Sequence, residues 1–512
     1  MTVDAKHPDY IEFSEDWDTM RDTYRGERIV KEHGVKYLPA TSGMIADGMT
    51  TANAPGLIAY NAYKKRAHFP DIVREAIEAA IGVMHQKPPV IDLPAALEPM
   101  REKATLRNES LEVLLRRINM EQLLTGRLGI LADFPVDTRA TAVDTKDVSD
   151  VVSRMAAPRD VPYLAMYTAE TIINWDAGYR DGLGVDSLNF VALDESQQER
   201  QNDFSWDTVK KTRILILGEV NVNEPSGTGE VYRVGVFREE GAMFDEAKLI
   251  TPMYRGQTID FIPFTIINSK DVVPNPDDAP LLGLANLVLS IYRQDADYKQ
   301  TLFMQGQDTL VTIGATDDTE TLRAGAGARI SVPQGGDAKF IGVSSTGLAE
   351  QRQALENDRM RAASKGGQLL DSVSRERESG EALHIRVAAR TASLKQIALA
   401  GAFGLQQALQ HAARWVGANP DEVIVTPNLD FVSEVFDADQ LLKLMSARNL
   451  GAPLSLETIH RIMQKKDFTE FDFEAELAKI DEEEALGLGA TNPDTLPDDE
   501  EDSEDDDPPE DE

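Results

Sequence analysis

The hydrophobic pattern divides the first half of the chain into helical and strand segments. Residues 1–66 show only short polar segments separated by Gly- and Pro-containing turns. Apolar residues then recur every three or four positions in 70–86 and 108–125, which predicts two packing helices. From 127 to 270 the period changes to two, and Val, Ile, Tyr and Phe become frequent. This predicts a mainly antiparallel β region, with the polar, irregular stretch 181–210 as a surface excursion.

Two long helices dominate the second half. Residues 279–305 carry one apolar stripe and would span about 40 Å, while the Ala-rich stretch 381–416 would span about 54 Å. Residues 365–380 contain turn and charged residues but few apolar ones, which predicts a loop. The remaining predicted elements are strands at 309–314 and 328–333, a polar helix at 348–365, strand-like segments within 422–434 and three short helices within 436–486.

The composition indicates a folding, strongly acidic protein. The chain has 512 residues, 42% of them hydrophobic, and a net charge of −36. This length suggests three or four structural units, and this charge disfavours a protein that clamps phosphates with a basic surface. Residues 498–512 are almost entirely acidic, which predicts a disordered tail. We expect no export signal and no membrane anchor, because no long apolar stretch occurs.

Most catalytic and metal-binding chemistry lacks a sequence signal. The chain has no cysteine, and its seven histidines are scattered, so thiolate nucleophiles are excluded and a zinc site is disfavoured. It also lacks a phosphate-binding loop motif, and GAGARI at 325–330 and GVSSTG at 342–347 fit nucleotide-binding and nucleophile motifs poorly. We therefore predict no cofactor, no metal and no enzyme activity. A hydrolase with dispersed acidic catalytic residues is the enzymatic alternative.

Five segments, taken in their linear order, resemble one subfamily of tailed-bacteriophage portal proteins, the head–tail connectors. Examples are YLAMYTAETIINWD and APLLGLANLVLSIYRQDADYKQTLFMQGQDTLVTIG. The acidic tail after 487 and the polar stretch 181–210 lie outside the shared pattern. The resembling segments are 60–89, 163–176, 279–314, 328–371 and 380–398.

The resemblance implies an α+β fold with an α/β wing, a two-helix stem, a small clip, a long tunnel helix and a helical crown. Its boundaries on this chain would be an N-terminal region and wing at 1–278, stem helices at 279–305 and 344–364, the clip at 306–343, a tunnel loop at 365–380, the long tunnel helix at 381–416, wing return strands at 417–435, the crown at 436–486 and a disordered acidic tail at 487–512.

The resemblance also implies function and partners. Such a protein forms a homo-oligomeric ring, typically of twelve subunits, at one capsid vertex. The ring passes double-stranded DNA without sequence specificity during packaging and ejection. Its partners would be the large terminase, a head–tail adaptor, and the major capsid and scaffolding proteins. It would assemble in the host cytoplasm and reside in the virion, without a membrane. The alternative is another, non-portal structural protein of the capsid vertex or scaffold.

Five residues are candidates for the roles that the resemblance implies. Lys365, Arg375 and Arg377 would be the few cations of the tunnel loop and would contact DNA phosphates briefly. Val288 and Ile291, on the apolar stripe of 279–305, would contact the neighbouring subunit, together with the small-residue faces of 381–416. The alternative is that both stripes are buried within the subunit.

Overall fold

The structure is a computed structural model that divides into two compact units, residues 1–431 and 432–512. Helices and separate antiparallel sheets coexist in the first unit, which confirms the α+β class. In the described part of the chain, none of the helices combines the length and apolar character that crossing a membrane requires. The structure describes residues 2–134, 161–180, 184–219, 230–253, 258–305, 309–313, 337–341, 347–367, 380–431, 438–465, 469 and 471–485.

Local capping chemistry sets several helix ends. Helix α1 begins with Pro8 at its first turn and with His7 Nδ1 accepting a hydrogen bond from the Asp9 N–H. Helix α6 begins where Ser110 Oγ accepts from the Val113 N–H and ends at Gly126, whose φ of 76° suits glycine. The helices of the first unit are α1 (Pro8–Arg25), α2 (Glu27–Glu32), α3 (Ser42–Ala46), α4 (Pro55–Arg66), α5 (Ile72–Met84), α6 (Leu111–Thr125), α7 (Leu282–Gln305), α8 (Leu348–Gly367) and α9 (Gly380–Val416).

The described strands pair in antiparallel fashion, as predicted for 127–270. The sheets have strand orders β10-β2-β3, β4-β5-β8-β9, β6-β7, β11-β12 and β1-β13. The strands are β1 (Val90–Asp92), β2 (Arg127–Asp133), β3 (Tyr163–Thr168), β4 (Ile172–Arg180), β5 (Gly184–Asp194), β6 (Gln197–Arg200), β7 (Trp206–Val209), β8 (Thr212–Glu219), β9 (Glu230–Phe237), β10 (Phe264–Asn268), β11 (Thr309–Ile313), β12 (Asp337–Ile341) and β13 (Ile424–Thr426).

The prediction that 181–210 is an irregular surface excursion is wrong for Gly184–Asp194, which form strand β5. Strand β5 is an inner strand of the four-stranded sheet, and its Val191 and Leu193 are fully buried. Only the β6-β7 hairpin that follows is surface structure, with Phe204 at its turn 96% exposed. Polar residues in the first half of β5 hide the short apolar run that enters the core.

Helix α9 packs across the first unit and joins its cores. Its Leu394 and Ile397 lie in a helical core with α5 and α7, whereas Leu405 and Leu409 lie in a second core with α6 and β2. Trp415 reaches a third core, around the four-stranded sheet. The helix therefore connects the helical part of the first unit to its sheets.

Among its described residues, the second unit has helices but no strands, as the sequence predicts for 436–486. They are α10 (Ala438–Asn449), α11 (Leu456–Lys465) and α12 (Phe473–Ala485). Ser455 caps α11 by accepting a hydrogen bond from the Thr458 N–H. The predicted acidic tail lies outside the described residues.

Candidate functional site

Helices α7 and α8 form an antiparallel pair. Gln294, late in α7, donates a hydrogen bond to Asp358 in the middle of α8 at 2.7 Å. Leu284, early in α7, lies beside Gly366 near the end of α8. Since later residues of one helix meet earlier residues of the other, the two helices run in opposite directions. The chain thus leaves the body of the first unit along α7 and returns along α8.

Two paired strands lie between these helices along the chain. Strands β11 and β12 pair from Thr309 with Ile341 to Ile313 with Asp337. We call residues 282–367 the helical arm; its first helix has 24 residues and is about 36 Å long. The helices predicted at 279–305 and 348–365 agree with α7 and α8 to within three residues. The predicted strand at 328–333 lies outside the described residues, and β12 follows it.

The base of the arm is anchored by the apolar stripe of α7. Val288 and Ile291 are both 0% exposed and belong to the helical core of the first unit. A side chain without exposed surface cannot contact a second chain in this conformation. The burial therefore favours the stated alternative, in which the stripe packs within the subunit.

A buried carboxylate fixes the orientation of the arm. The side chain of Asp295 in α7 is 2% exposed and lies 2.9 Å from Lys299 Nζ and 3.1 Å from Arg359 Nη2 in α8. It also accepts a hydrogen bond from the backbone N–H of His68, which follows α4, at 2.8 Å. One carboxylate thus connects three parts of the chain. The sequence pattern did not single it out, because acidic residues are abundant throughout.

Helix α8 and the last turn of α7 bury few side chains. In α8, Leu355 and Ala362 are buried, two turns apart, while most other side chains of the helix are exposed. The last turn of α7 leaves Leu302, Phe303 and Met304 between 40% and 48% exposed. Large apolar residues that are grouped and exposed are typical of surfaces that contact other proteins.

The predicted DNA-facing cations fall partly within the described chain. Lys365 is exposed on the last turn of α8. The predicted loop therefore begins later than residue 365, because α8 continues to Gly367. Arg375 and Arg377 lie outside the described residues.

Helix α9, the next element along the chain, is positively charged, whereas the whole chain is negatively charged. Its 37 residues contain the cations Arg386, Arg390, Lys395 and Arg414 but only one carboxylate, Glu381. At about 1.5 Å per residue it is about 55 Å long. Most of the carboxylates that make the chain acidic therefore lie elsewhere.

The small residues of α9 serve packing within the chain. A Cβ at Gly401 would lie 2.5 Å from the side-chain amides of Asn119 and Gln122 in α6, and a Cβ at Gly404 would overlap Ile267 in β10. Both glycines are buried. This part of the small-residue face thus meets elements of its own subunit, which favours the stated alternative.

A cavity of about 350 Å³ lies between α9 and the β10 region. The ring of His411 on α9 lines it and is tilted by 36° against the ring of Phe261, with 5.1 Å between the ring centroids. Its Nδ1 lies 3.4 Å from Thr265 Oγ1. Burial, together with the nearby Arg414 charge, lowers the pKa of His411 to about 3. The native histidine is therefore neutral at physiological pH.

This histidine predicts a loss of stability in mild acid. Below pH 6.5 the unfolded chain protonates His411 while the folded chain does not, so stability decreases as the pH falls toward 3. Between pH 7 and pH 5 we expect the wild type to lose about 1–2 kcal/mol more than the His411→Gln variant, measured by urea unfolding. Parallel stability profiles for the two proteins would contradict the depressed pKa.

Comparison with known proteins adds one sequence match. A family model described as a domain of unknown function (DUF4055) matches residues 280–416, which are the helical arm and α9. Among curated proteins, none matches this chain.

Two solved structures resemble the chain weakly. One is titled the neck of a native GTA particle computed with C12 symmetry: the identity is 12%, the TM-score 0.37, and the match covers 77% of this chain and 89% of that one. The other, the neck of an empty GTA particle computed with C6 symmetry, has 12% identity, a TM-score of 0.35, and coverage of 83% and 98%. The family match thus covers the arm and α9 together.

Proposed function

We propose that this chain is the subunit of a phage-type portal, a closed ring through which double-stranded DNA passes. The observation that carries the proposal is the helical arm followed by α9. An antiparallel helix pair with a strand hairpin between its helices, and then a helix of 37 residues, follow in the order that the portal resemblance implies. The arm would be the stem and clip of the ring, and α9 its long tunnel helix.

The acidity of the chain suits this role. Ring symmetry repeats each carboxylate in every subunit, so twelve chains of charge −36 would carry −432. Duplex DNA presents about one negative charge per 1.7 Å, and charges in physiological salt interact over about 8 Å. Carboxylates beside the path of the DNA would therefore repel it only at close range. This keeps the duplex from adhering while it moves.

The proposal also implies a location in the virion and a set of partner proteins. The ring would assemble in the host cytoplasm with major capsid and scaffolding proteins, and would occupy one vertex of the virion. The large terminase and the head–tail adaptor would dock on it in turn. The chain itself would be structural, and the motor that moves DNA would belong to the terminase.

Mass in solution tests the assembly. Native mass spectrometry of the purified chain should show a closed oligomer, with twelve copies of the 56.4-kDa chain giving about 680 kDa. A chain that remains at 56.4 kDa under the conditions of capsid assembly would contradict the proposal.

The tunnel-loop cations give a second prediction. Replacing Lys365, Arg375 and Arg377 together by Gln should leave ring assembly intact but change the amount of DNA packaged or retained, because brief phosphate contacts are lost. The measurement is nuclease-protected DNA in assembled particles. Unchanged packaging would reject this role. A matched control replaces three exposed cations of the body, Arg28, Lys103 and Arg107, by Gln.

A further inference from the structure

The outer side of α9 carries two large apolar residues that no described element covers. Leu399 and Phe403 lie one turn apart, and each is 49% exposed. Gly401, between them, is packed against α6. Since successive helical residues are about 100° apart, both side chains point about 160° away from Gly401. They therefore lie opposite the packed side of the helix.

The same side of α9 is basic. Lys395 and Arg414 are exposed, and the sequence has no carboxylate between residues 382 and 416. In a chain of net charge −36, such a face is exceptional. An apolar centre with cations at its ends favours an acidic protein surface that also has an apolar residue.

Helix α1 presents such a surface. Trp17 and Met20 on its inner side are 0% exposed, whereas Ile11 on its outer side is 63% exposed. Glu12, Glu15 and Asp18 are exposed on that outer side as well. This face thus has one large apolar residue among three carboxylates.

Helix α6 separates the two outer faces. Arg21 of α1 pairs with Glu121 of α6 at 2.5 Å, while Gly401 of α9 packs on Asn119 and Gln122 of α6. The two helices thus pack on different sides of α6. A closed ring requires two different, complementary faces on each subunit, directed toward different neighbours.

We propose that the outer face of α9 in one copy docks on the outer face of α1 in the next copy. Leu399 and Phe403 would pack around Ile11, with Lys395 against Glu15 and Asp18. This inference rests on the proposed ring and specifies one of its contacts. It replaces the buried residues Val288 and Ile291 as the subunit contact.

The absence of native cysteine permits a direct test. A Phe403→Cys chain is coexpressed with a chain carrying Ile11→Cys, Glu15→Cys or Asp18→Cys, and the assembled protein is oxidised. We expect a disulfide-linked pair of chains on a non-reducing gel for at least one combination, and none when each variant is expressed alone. Val113→Cys, at an exposed position of α6, is the matched partner that should not cross-link.

Charge reversal provides an independent readout. Lys395→Glu should raise the concentration needed for half-assembly at least about tenfold, and adding Glu15→Lys should restore it. Both side chains are exposed, so the variants should fold. If the wild type forms rings, but no cysteine pair cross-links and Lys395→Glu assembles normally, this contact is overturned and the ring proposal stands. A wild type that stays monomeric would overturn the ring itself.

Discussion

The Val288→Asp variant should fail to fold. Val288 is 0% exposed in the helical core, so the substitution removes a buried apolar side chain and puts a carboxylate in its place. The lost burial and the unpaired charge together should lower the free energy of unfolding by about 4 kcal/mol or more. That is a large part of the stability of a typical domain. Soluble yield and urea unfolding measure the effect.

Leu302→Asp is the matched control, because Leu302 lies on the same helix and is 48% exposed. It should fold with a change in stability below about 1 kcal/mol. A Val288→Asp chain that folds normally but stays monomeric would contradict the burial argument. It would restore Val288 as a contact between subunits.

Asp295→Ala should release the helical arm from the body of the chain. The substitution removes the acceptor of the His68 N–H and leaves Lys299 and Arg359 without their shared carboxylate. The expected loss is about 2–3 kcal/mol, since hydrogen bonds to a charged group are involved. Asp295→Asn should lose less, because its amide oxygen can still accept the backbone hydrogen bond. Urea unfolding and the rate of proteolysis within the arm measure both variants.

Glu356→Ala is the control for this pair of variants, since Glu356 is exposed on α8. It should be as stable and as resistant to protease as the wild type. If Asp295→Ala behaves in the same way as Glu356→Ala, the buried carboxylate does not hold the arm.

The long helices could be predicted from the sequence because their apolar stripes are continuous. Helix α7 was predicted at 279–305 and lies at 282–305, and α9 was predicted at 381–416 and lies at 380–416. The pattern indicates that a side chain such as Val288 is buried, but not against what. Whether a stripe packs within the subunit or against its neighbour depends on long-range contacts that periodicity does not encode.

The elements that the hydrophobic pattern did not predict are rich in polar residues. Helix α1 exposes an acidic face and buries only a few apolar residues, among them Tyr10, Trp17 and Met20. Its apolar spacing is therefore sparse, and local capping at His7 and Gly26 defines it better than periodicity does. Strand β5 was missed because its polar first half obscures the buried residues that follow.

The candidate site was predictable in outline only. The order of helix, hairpin, helix and long helix follows from the sequence, and so does the cation Lys365 at the end of the arm. The buried Asp295 and the exposed pair Leu399 and Phe403 could not be singled out. Their roles depend on which neighbours surround them in three dimensions.

Cryo-electron microscopy of the purified full-length chain is the most direct test of the ring proposal. We predict a closed ring with an axial opening wide enough for duplex DNA, contacted by the helical arms. A solitary globular particle or a ring without such an opening would contradict the proposal.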